Sequence, residues 1–517
     1  MNKPYFLIYT RKTLLKIPIF VTIRNFKYII LMSKEILKLK PTQLWKHFYD
    51  LTQIPRPTGQ MKEVTKFVMD FGKSLGLDVK QDKTGNILIT KPATKGMEKA
   101  PTVILQSHLD MVPQKNNDVK HDFTKDPIET VVNGNIVKAK STTLGADNGL
   151  GAAAMMAVLE DKKLKHGKIE ALFTVDEEVG MVGATGLKKG FLSGSILLNL
   201  DTEEIGELCV GCAGGVDVNA DWEYKEVKTP KGDVAYKITL KGLRGGHSGT
   251  EIHLGRANAN KLMFYFLKEA VSNYEVRLAS IDGGSLRNAI PREAVAIITL
   301  PEGDEKDFLK LVKKYEKRYK EEYKAAEIAE NISFKAAKAD VPKTLIPEEI
   351  QDSLINAVVG CQNGVIGMLT DFVGIVETST NLASVKSEPG KISAKMLARS
   401  SSEDRKEEIA SSLESVFALA GAKVTIENGY PGWQPNAQSA TLNMMSKLYK
   451  DLYKEDAHVV VVHAGLECGI ILSSTPGLDI VSFGPTIMNA HSPDEYAEID
   501  TTERFYEYLI KTLEKIK

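Results

Sequence analysis

The chain has 517 residues, with 67 basic and 67 acidic side chains and 43% hydrophobic residues. This is a globular composition with enough length for about two to four domains, and it excludes a disordered or fibrous protein. Zero net charge gives no support to nucleic-acid binding or membrane coating. Four cysteines are too few for a disulfide scaffold of this length.

Residues 1–32 differ from the rest because they carry six basic side chains and no acidic one. They lack the unbroken apolar core and small-residue cleavage site of a secretory signal. Lys16 and Arg24 also interrupt every window long enough to span a membrane. We therefore expect a basic leader outside the fold, upstream of an internal start at Met32, with targeting or surface anchoring as the alternative. The remaining residues carry a net charge of about −6.

The next part of the chain alternates helices with short apolar strands. Helical spacing of apolar residues predicts helices at 42–51, 60–75 and 148–159, and short apolar runs predict strands at 86–90, 102–106, 169–174 and 196–200. Such alternation is typical of a mostly parallel sheet that is covered on both faces.

The pattern changes near Val216 and returns after Trp433. The changed part has strands at 235–241 and 294–300, a helix at 256–272, a mixed-charge stretch at 302–338 and a strand–helix–strand unit at 391–425. The mixed charges predict a solvated helix face at 302–338. A helix at 439–452 and strands at 458–463 and 480–483 then restore the first pattern.

The predicted fold class is therefore α/β, with a second domain inserted into the first. Residues 33–213 and 433–517 form a mostly parallel-sheet domain, and residues 214–432 form an inserted α+β lid domain.

Acidic and histidine side chains stand at the ends of several predicted strands, and one Asp precedes the apolar helix. They are His108, Asp110, Asp147, Glu177, Glu178, Asp201 and His491. We expect them to converge, because the carboxyl ends of parallel strands share one edge of a sheet, where ligands bind. Such a cluster is costly to bury without a cation. Two divalent metal ions would offset that cost, and zinc accepts both imidazole and carboxylate ligands.

Five motifs carry a family resemblance. They are His108-Leu-Asp110, Gly145-Ala-Asp147-Asn148, Asp176-Glu177-Glu178-Val-Gly180, Asn199-Leu-Asp201 and Asn489-Ala-His491-Ser492. Together they resemble the dizinc peptidases of the M20 family, and most closely its aminoacyl-histidine dipeptidase branch. The resemblance runs from about Ser33 to Lys517, so the leader lies outside it.

The resemblance implies a set of metal ligands. His108 and Asp201 would hold one zinc, Glu178 and His491 would hold the other, and Asp147 would bridge both. The family also has an unusual cis peptide just after the bridging Asp. Two divalent ions are the expected cofactors, with zinc favoured over cobalt or manganese.

Two further carboxylates would act without binding metal. By the same resemblance, Glu177 would be the general base, and Asp110 would orient and polarise the His108 imidazole.

The inserted domain would contribute to substrate binding. The resemblance implies that His247 stabilises the oxyanion, that Asn288 binds polar groups of the substrate, and that Gly465 lets the backbone approach it. Arg399 would clamp the substrate carboxylate, because guanidinium offers two parallel donors. The alternatives are a solvent-facing loop for His247 and ordinary structural contacts for Asn288 and Arg399.

The predicted function is metal-dependent hydrolysis of dipeptides, of the Xaa-His type such as β-alanyl-histidine or over a broad range. The resemblance implies attack by a zinc-bound hydroxide, which would form when Glu177 takes a proton from bound water. An M20-type deacylase or carboxypeptidase acting on N-acyl amino acids is the alternative. A non-catalytic peptide-binding scaffold is disfavoured because no ligand or base is missing.

The expected partners are few. We predict a small dipeptide substrate, no nucleic acid, no membrane span, and a homodimer through the lid domain. We also expect a cytoplasmic protein in which Cys209 and Cys212, despite their redox-like spacing, are buried reduced thiols.

Overall fold

The computed structural model describes residues 34–517, so the predicted leader lies outside the described residues. Most strands of residues 34–517 belong to two large sheets, one mixed and one antiparallel. This arrangement confirms the predicted α/β class with additional α+β structure.

The first sheet has eight strands in the described part of the chain. In order across the sheet they are Asp78–Gln81, Ile87–Lys91, Ile169–Thr174, Val103–His108, Ile196–Asn199, Asp479–Ser482, Glu207–Cys212 and His458–Val462. The four central strands, from Ile169–Thr174 to Asp479–Ser482, are parallel, and antiparallel neighbours flank them on both sides. Every residue of Val103–His108 is buried, as expected for a central parallel strand.

Helices cover this sheet. The helix Ala146–Glu160 packs on the strand Val103–His108, and the helix Thr42–Thr52 packs on that helix in turn. The Gly, Ala and Met residues of the helix Ala146–Glu160 are buried on every face, which is typical of a helix inside a core. The other helices of this part are Lys62–Ser74, Val182–Gly186, Ala440–Tyr453, Glu467–Ser474 and Ile499–Lys515. A small sheet beside them contains Ile487–Met488, Tyr496–Glu498, Ile136–Ala139 and Thr130–Asn133.

The second sheet is antiparallel and has nine strands within residues 34–517. In order they are Ser333–Ala339, Asp233–Lys241, Ala294–Pro301, Arg277–Gly283, Val376–Glu388, Lys391–Ser400, Gly214–Glu223 and Lys423–Tyr430, with Gly364–Met368 paired to Val376–Glu388. Its helices are Ala259–Tyr274, Glu305–Glu322, Glu348–Gly360 and Glu403–Leu419. Two short strand pairs accompany it, Val227–Lys228 with Thr344–Leu345 and Gly246–His247 with Ala289–Ile290.

The highly charged stretch at 302–338 differs from its prediction. Only Glu305–Glu322 is an α-helix, and the end of the stretch belongs to the edge strand Ser333–Ala339. The helix also buries one face, including Phe308 and Tyr315. Charge composition concealed this apolar stripe because lysines and glutamates occupy most of the other positions.

The two sheets draw on different parts of the chain. The strands of the first come from residues 78–212 and 458–482, and those of the second come from residues 214–430. The division into 33–213, 214–432 and 433–517 stays a prediction. Among the described helices, none combines the length and apolar character that a bilayer crossing needs.

Candidate active site

The carboxyl ends of the parallel strands face a cavity of about 560 Å³. Six predicted site residues line it, namely His108, Asp147, Glu177, Glu178, Asp201 and His491. The seventh, Asp110, lies fully buried. The fold thus gathers at one edge side chains that are far apart in the sequence.

Asp147 stands at the centre of this group. Its Oδ1 lies 3.0 Å from His108 Nε2, and its Oδ2 lies 3.1 Å from His491 Nε2. His108 Nε2 is also 3.6 Å from Asp201 Oδ1, and His491 Nε2 is 3.0 Å from Glu178 Oε1. The residues therefore form two sets that share one carboxylate.

The charges of these residues fit divalent cations. Burial, together with the neighbouring Asp147 carboxylate, raises the pKa of Asp201 to about 7. Hydrogen bonds to Asp147 and Glu178 raise the pKa of His491 to about 11. One ligand atom each from His108, Asp147 and Glu178 lies within 4.8 Å of the others, so these three could hold an ion. A cation would relieve the repulsion between carboxylates, and the mixed imidazole and carboxylate donors suit zinc.

The segment that carries Asp147 is held by its backbone. A cis peptide joins Asp147 to Asn148, as the resemblance implies. The buried Glu495 carboxylate accepts hydrogen bonds from the backbone N–H groups of residues 144–146 at 2.7–3.0 Å. The position of the shared aspartate thus depends on a glutamate from the end of the chain.

A buried arginine joins this segment to the one after His108. Arg56 is 2% exposed, and its guanidinium donates to the carbonyl oxygens of Leu109 and Gly145 at 2.9 and 2.5 Å. Burial lowers its pKa to about 10, so it remains a cation at neutral pH. The two segments are therefore fixed relative to each other.

Asp110 connects His108 to the turn that carries the two glutamates. Its Oδ1 lies 3.5 Å from His108 Nδ1. The same carboxylate accepts hydrogen bonds from the backbone N–H groups of Glu177 and Glu178 at 3.0 and 3.2 Å. It is therefore placed to orient both an imidazole and the turn.

Glu177 differs from its neighbours because, within residues 34–517, its carboxylate has no hydrogen-bond or ion-pair partner. Burial raises its pKa to about 9, and the nearby Glu467, Asp201 and Glu178 carboxylates add to the rise. A carboxylate that lines the cavity and is engaged by no partner is free to exchange protons with a bound molecule.

Predicted lid residues form a second group. Arg399 is buried, its Nη1 donates to the Tyr430 hydroxyl at 2.7 Å, and its Nε has no partner among the described residues. His463 Nε2 lies 2.7 Å from Ser379 Oγ. Burial and the nearby Arg399 lower the pKa of His247, which keeps this imidazole neutral. The Arg399 guanidinium, with an unused Nε donor, thus lies near the neutral imidazole of His247.

Asn288 and Gly465 lie around this second group. Asn288 is exposed, and its carbonyl oxygen accepts the Ser248 N–H at 2.8 Å, in the turn next to His247. A Cβ at Gly465 would stand 2.8 Å from the Tyr430 ring. Glycine is therefore required there for packing as well as for any approach of substrate.

Several residues of the site have no clear signal in the sequence. Arg56 reads as part of a proline-rich turn, and Glu495 lies just beyond the His491 motif. In the sequence, Tyr430 belongs to a Gly- and Pro-rich segment that ends a strand, and Glu467 lies two residues after Gly465. Their roles depend on partners that are distant in the chain.

The four cysteines all lie in the described part of the chain, where they are free and buried. Burial raises the pKa of Cys209 to about 11 and that of Cys212 to about 12. They are therefore unreactive thiols rather than a redox pair.

Two imidazoles and two carboxylates around a shared aspartate, with an unpaired glutamate beside them, define a hydrolase of the metal-dependent class. Comparisons with known proteins identify the family. Residues 104–515 match the profile of Peptidase family M20/M25/M40. The chain is also 42% identical over 483 residues to the cytosol non-specific dipeptidase of Escherichia coli K12, which covers 93% of this chain and 99% of that relative.

Solved structures agree. The aminoacylhistidine dipeptidase of Vibrio alginolyticus matches with a TM-score of 0.90 at 42% identity, over 94% of this chain and 99% of that one. A tripeptidase of Staphylococcus aureus, with a TM-score of 0.53 at 18% identity over 92% and 99%, shares the fold alone. The chain belongs to peptidase family M20/M25/M40, and its resemblance to the aminoacyl-histidine dipeptidase branch is confirmed.

Proposed function

We propose that the protein is a metal-dependent dipeptidase that cleaves Xaa-His dipeptides such as β-alanyl-histidine, within a broad range of dipeptides. The observation that carries this proposal is the Asp147 carboxylate shared between His108 and His491, with the unpaired Glu177 lining the same cavity. The dipeptidase names of two relatives, each 42% identical over nearly their full length, support the substrate class.

The proposed cofactors are two divalent ions. His108 and Asp201 would hold one, Glu178 and His491 would hold the other, and Asp147 would bridge them. The mixed donor set favours zinc, with cobalt or manganese as alternatives. When bound, the ions supply Lewis acidity that polarises the scissile carbonyl and lowers the pKa of water.

Glu177 is the proposed general base. It accepts a proton from the attacking water and returns it to the amine that leaves. Its free carboxylate can gain and lose a proton. Divalent cations on the neighbouring ligands would lower its pKa from about 9 toward neutral, where it can act as a base. Asp110 holds the backbone of the turn and so directs Glu177 toward the cavity.

His247 is the proposed donor to the carbonyl oxygen as negative charge develops there. Its Nδ1 accepts the backbone N–H groups of Gly249 and Thr250 at 3.2 and 3.0 Å. The proton of the neutral ring therefore resides on Nε2, which is the atom able to donate.

The remaining lid residues would bind the ends of the substrate. Arg399, with its unpartnered Nε, would clamp the C-terminal carboxylate. Asn288 would bind polar groups, and Gly465 would let the backbone lie close to the substrate. A grip on the free carboxylate would restrict cleavage to the C-terminal peptide bond, and closure of the inserted domain over the site would limit the substrate to short peptides.

Location and assembly complete the proposal. The word cytosol in the name of a relative and the four buried free cysteines support a cytoplasmic protein. A homodimer through the lid domain is proposed from the resemblance alone.

A substrate panel tests the proposal. The full chain is purified, loaded separately with zinc, cobalt and manganese, and assayed on β-alanyl-histidine, Ala-His, other dipeptides and N-acetyl amino acids. We expect turnover of dipeptides and none by the Glu177→Ala variant. Faster turnover of N-acetyl amino acids would favour the deacylase or carboxypeptidase function instead.

A further inference from the structure

One buried carboxyl near the cavity has no part in the mechanism above. Glu467 begins the helix Glu467–Ser474 and is 2% exposed. Its Oε2 accepts hydrogen bonds from Gln106 Nε2 at 2.6 Å and from Thr174 Oγ1 at 2.8 Å. The Gln106 Oε1 in turn accepts the Asn199 Nδ2 at 2.5 Å. A single carboxylate thus anchors a network of four side chains.

The three partners of this network lie on three neighbouring parallel strands. Gln106 is on Val103–His108, Thr174 ends Ile169–Thr174, and Asn199 ends Ile196–Asn199. The network therefore crosses the sheet just below the edge where the site residues emerge.

Each strand delivers one part of the reaction centre within a few residues. His108 ends the first strand, and Glu177 and Asp201 follow the ends of the other two. Backbone hydrogen bonds set the register of such strands, but they do not fix the side chains at and just beyond the strand ends. The side-chain hydrogen bonds among Glu467, Gln106, Thr174 and Asn199 link the ends of the three strands and so restrain their separation.

The network is shielded from solvent. Gln106 and Thr174 are 0% exposed and Asn199 is 2% exposed, so water does not replace a broken bond. In a site of low dielectric, such bonds reinforce one another. Both bonds to Glu467 fall on Oε2, and its Oε1 has no partner among the described residues. The carboxylate accepts two of these bonds, which makes it the acceptor on which the others depend.

We propose that Glu467 is a positioning residue, whose carboxylate ties three strand ends together and so holds Glu177, His108 and Asp201 at the spacing that the reaction needs. This inference rests on the proposed function and deepens it. It predicts that loss of the carboxylate disturbs the metal ligands and the base without touching the substrate.

The test uses Glu467→Gln, which keeps the shape but removes the negative charge. The bonds from Gln106 and Thr174 to the Oε2 position then become bonds to a neutral acceptor, which are about half as strong. We expect kcat and the affinity for cobalt to fall about 10- to 100-fold, as for other partners that orient metal ligands. KM should change little, because the uniform binding of substrate is untouched. The visible absorption of the cobalt-loaded protein should shift, since its ligands move.

A rescue variant separates positioning from simple stability. The double variant Gln106→Glu with Glu467→Gln exchanges donor and acceptor, and the new carboxylate at position 106 still accepts from Asn199. We expect kcat, cobalt affinity and spectrum to return toward those of the wild type. Recovery of the melting temperature alone, without these three readouts, would overturn the proposal.

Glu170 provides a matched control. It lies on the same strand as Thr174, near the opposite end, and is 3% exposed. Its carboxylate accepts the backbone N–H groups of Ser193 and Gly194 at 2.8 and 3.1 Å. Glu170→Gln should lower the melting temperature but leave kcat and the cobalt spectrum unchanged.

Failure of the Glu467 proposal can be told apart from failure of the proposed function. A wild-type protein that cleaves no dipeptide refutes the function, whereas the cobalt affinity and spectrum still decide the role of Glu467. If Glu467→Gln does not fold, Thr174→Val removes a single donor and should shift the same readouts in the same direction. Wild-type cobalt affinity and spectrum in the folded variant would show that the carboxylate has no positioning role.

Discussion

Replacing Glu495 with Gln should loosen the segment that carries Asp147. Glu495 Oε2 accepts the N–H groups of Leu144 and Gly145, and its Oε1 accepts that of Ala146 at 2.7 Å and that of Asp147 at 3.4 Å. A glutamine keeps one oxygen for two of these donors. Its amide group then faces the other two, which are left without an acceptor in a buried place.

The cost follows from this count. A hydrogen bond to a charged group contributes about 1.5–3 kcal/mol, and one short and one long bond are lost. We therefore expect the free energy of unfolding to fall by about 2–4 kcal/mol. In a domain of this size each kcal/mol moves the melting temperature by about 2 °C, so the expected drop is about 4–8 °C. Because Asp147 is proposed to bridge both ions, zinc affinity should also fall about 10- to 100-fold.

Calorimetry and zinc titration of the purified variant measure both effects. Glu503→Gln is the control, because this exposed glutamate lies on the helix that follows Glu495 and its loss should change stability by less than about 0.5 kcal/mol. A Glu495→Gln variant with the wild-type melting temperature and zinc affinity would refute the reasoning. It would mean that the loop holds Asp147 without help from a charged acceptor.

Three further predictions concern the reaction. Glu177→Gln should lower kcat about 10²- to 10⁴-fold with the metal content unchanged, and a variant that lost its metal would point to a ligand instead of a base. EDTA should abolish activity, and zinc, cobalt or manganese should restore it; activity that persists after complete metal removal contradicts a metal-dependent site. Arg399→Met should raise KM for Ala-His at least about tenfold while leaving dipeptide amides unaffected, and an equal effect on both would exclude a carboxylate clamp.

The sequence predicts well which residues lie at the carboxyl edge of the first sheet, because local patterns of apolar and polar residues show where each strand ends. Continuous apolar runs identify the buried strands, and the polar residues that end those runs include His108 and Asp201. For the same reason, the predicted strand at 169–174 has the bounds of the observed strand Ile169–Thr174. Parallel geometry then brings their ends together without any knowledge of the strand order.

Contacts between distant segments could not be predicted in this way. A glutamine in a strand such as Gln106 looks like any buried polar residue until Glu467 is placed opposite it, 361 residues away in the chain. The same holds for Arg56 and its carbonyl acceptors. Periodicity reports how deeply a residue is buried, whereas the identity of its partner depends on the complete fold.

The strand Asp479–Ser482 lies between Ile196–Asn199 and Glu207–Cys212, so the middle of the first sheet is filled by one of the last segments to be synthesised. A growing chain can form the antiparallel sheet of the lid early, because that sheet is continuous in the sequence, but the peptidase sheet stays open until this strand arrives. The residues around this strand in the sequence include Glu467, His491 and Glu495. A nascent chain that has not reached these residues therefore lacks the central strand and a proposed metal ligand together, so it cannot hold the proposed metal centre.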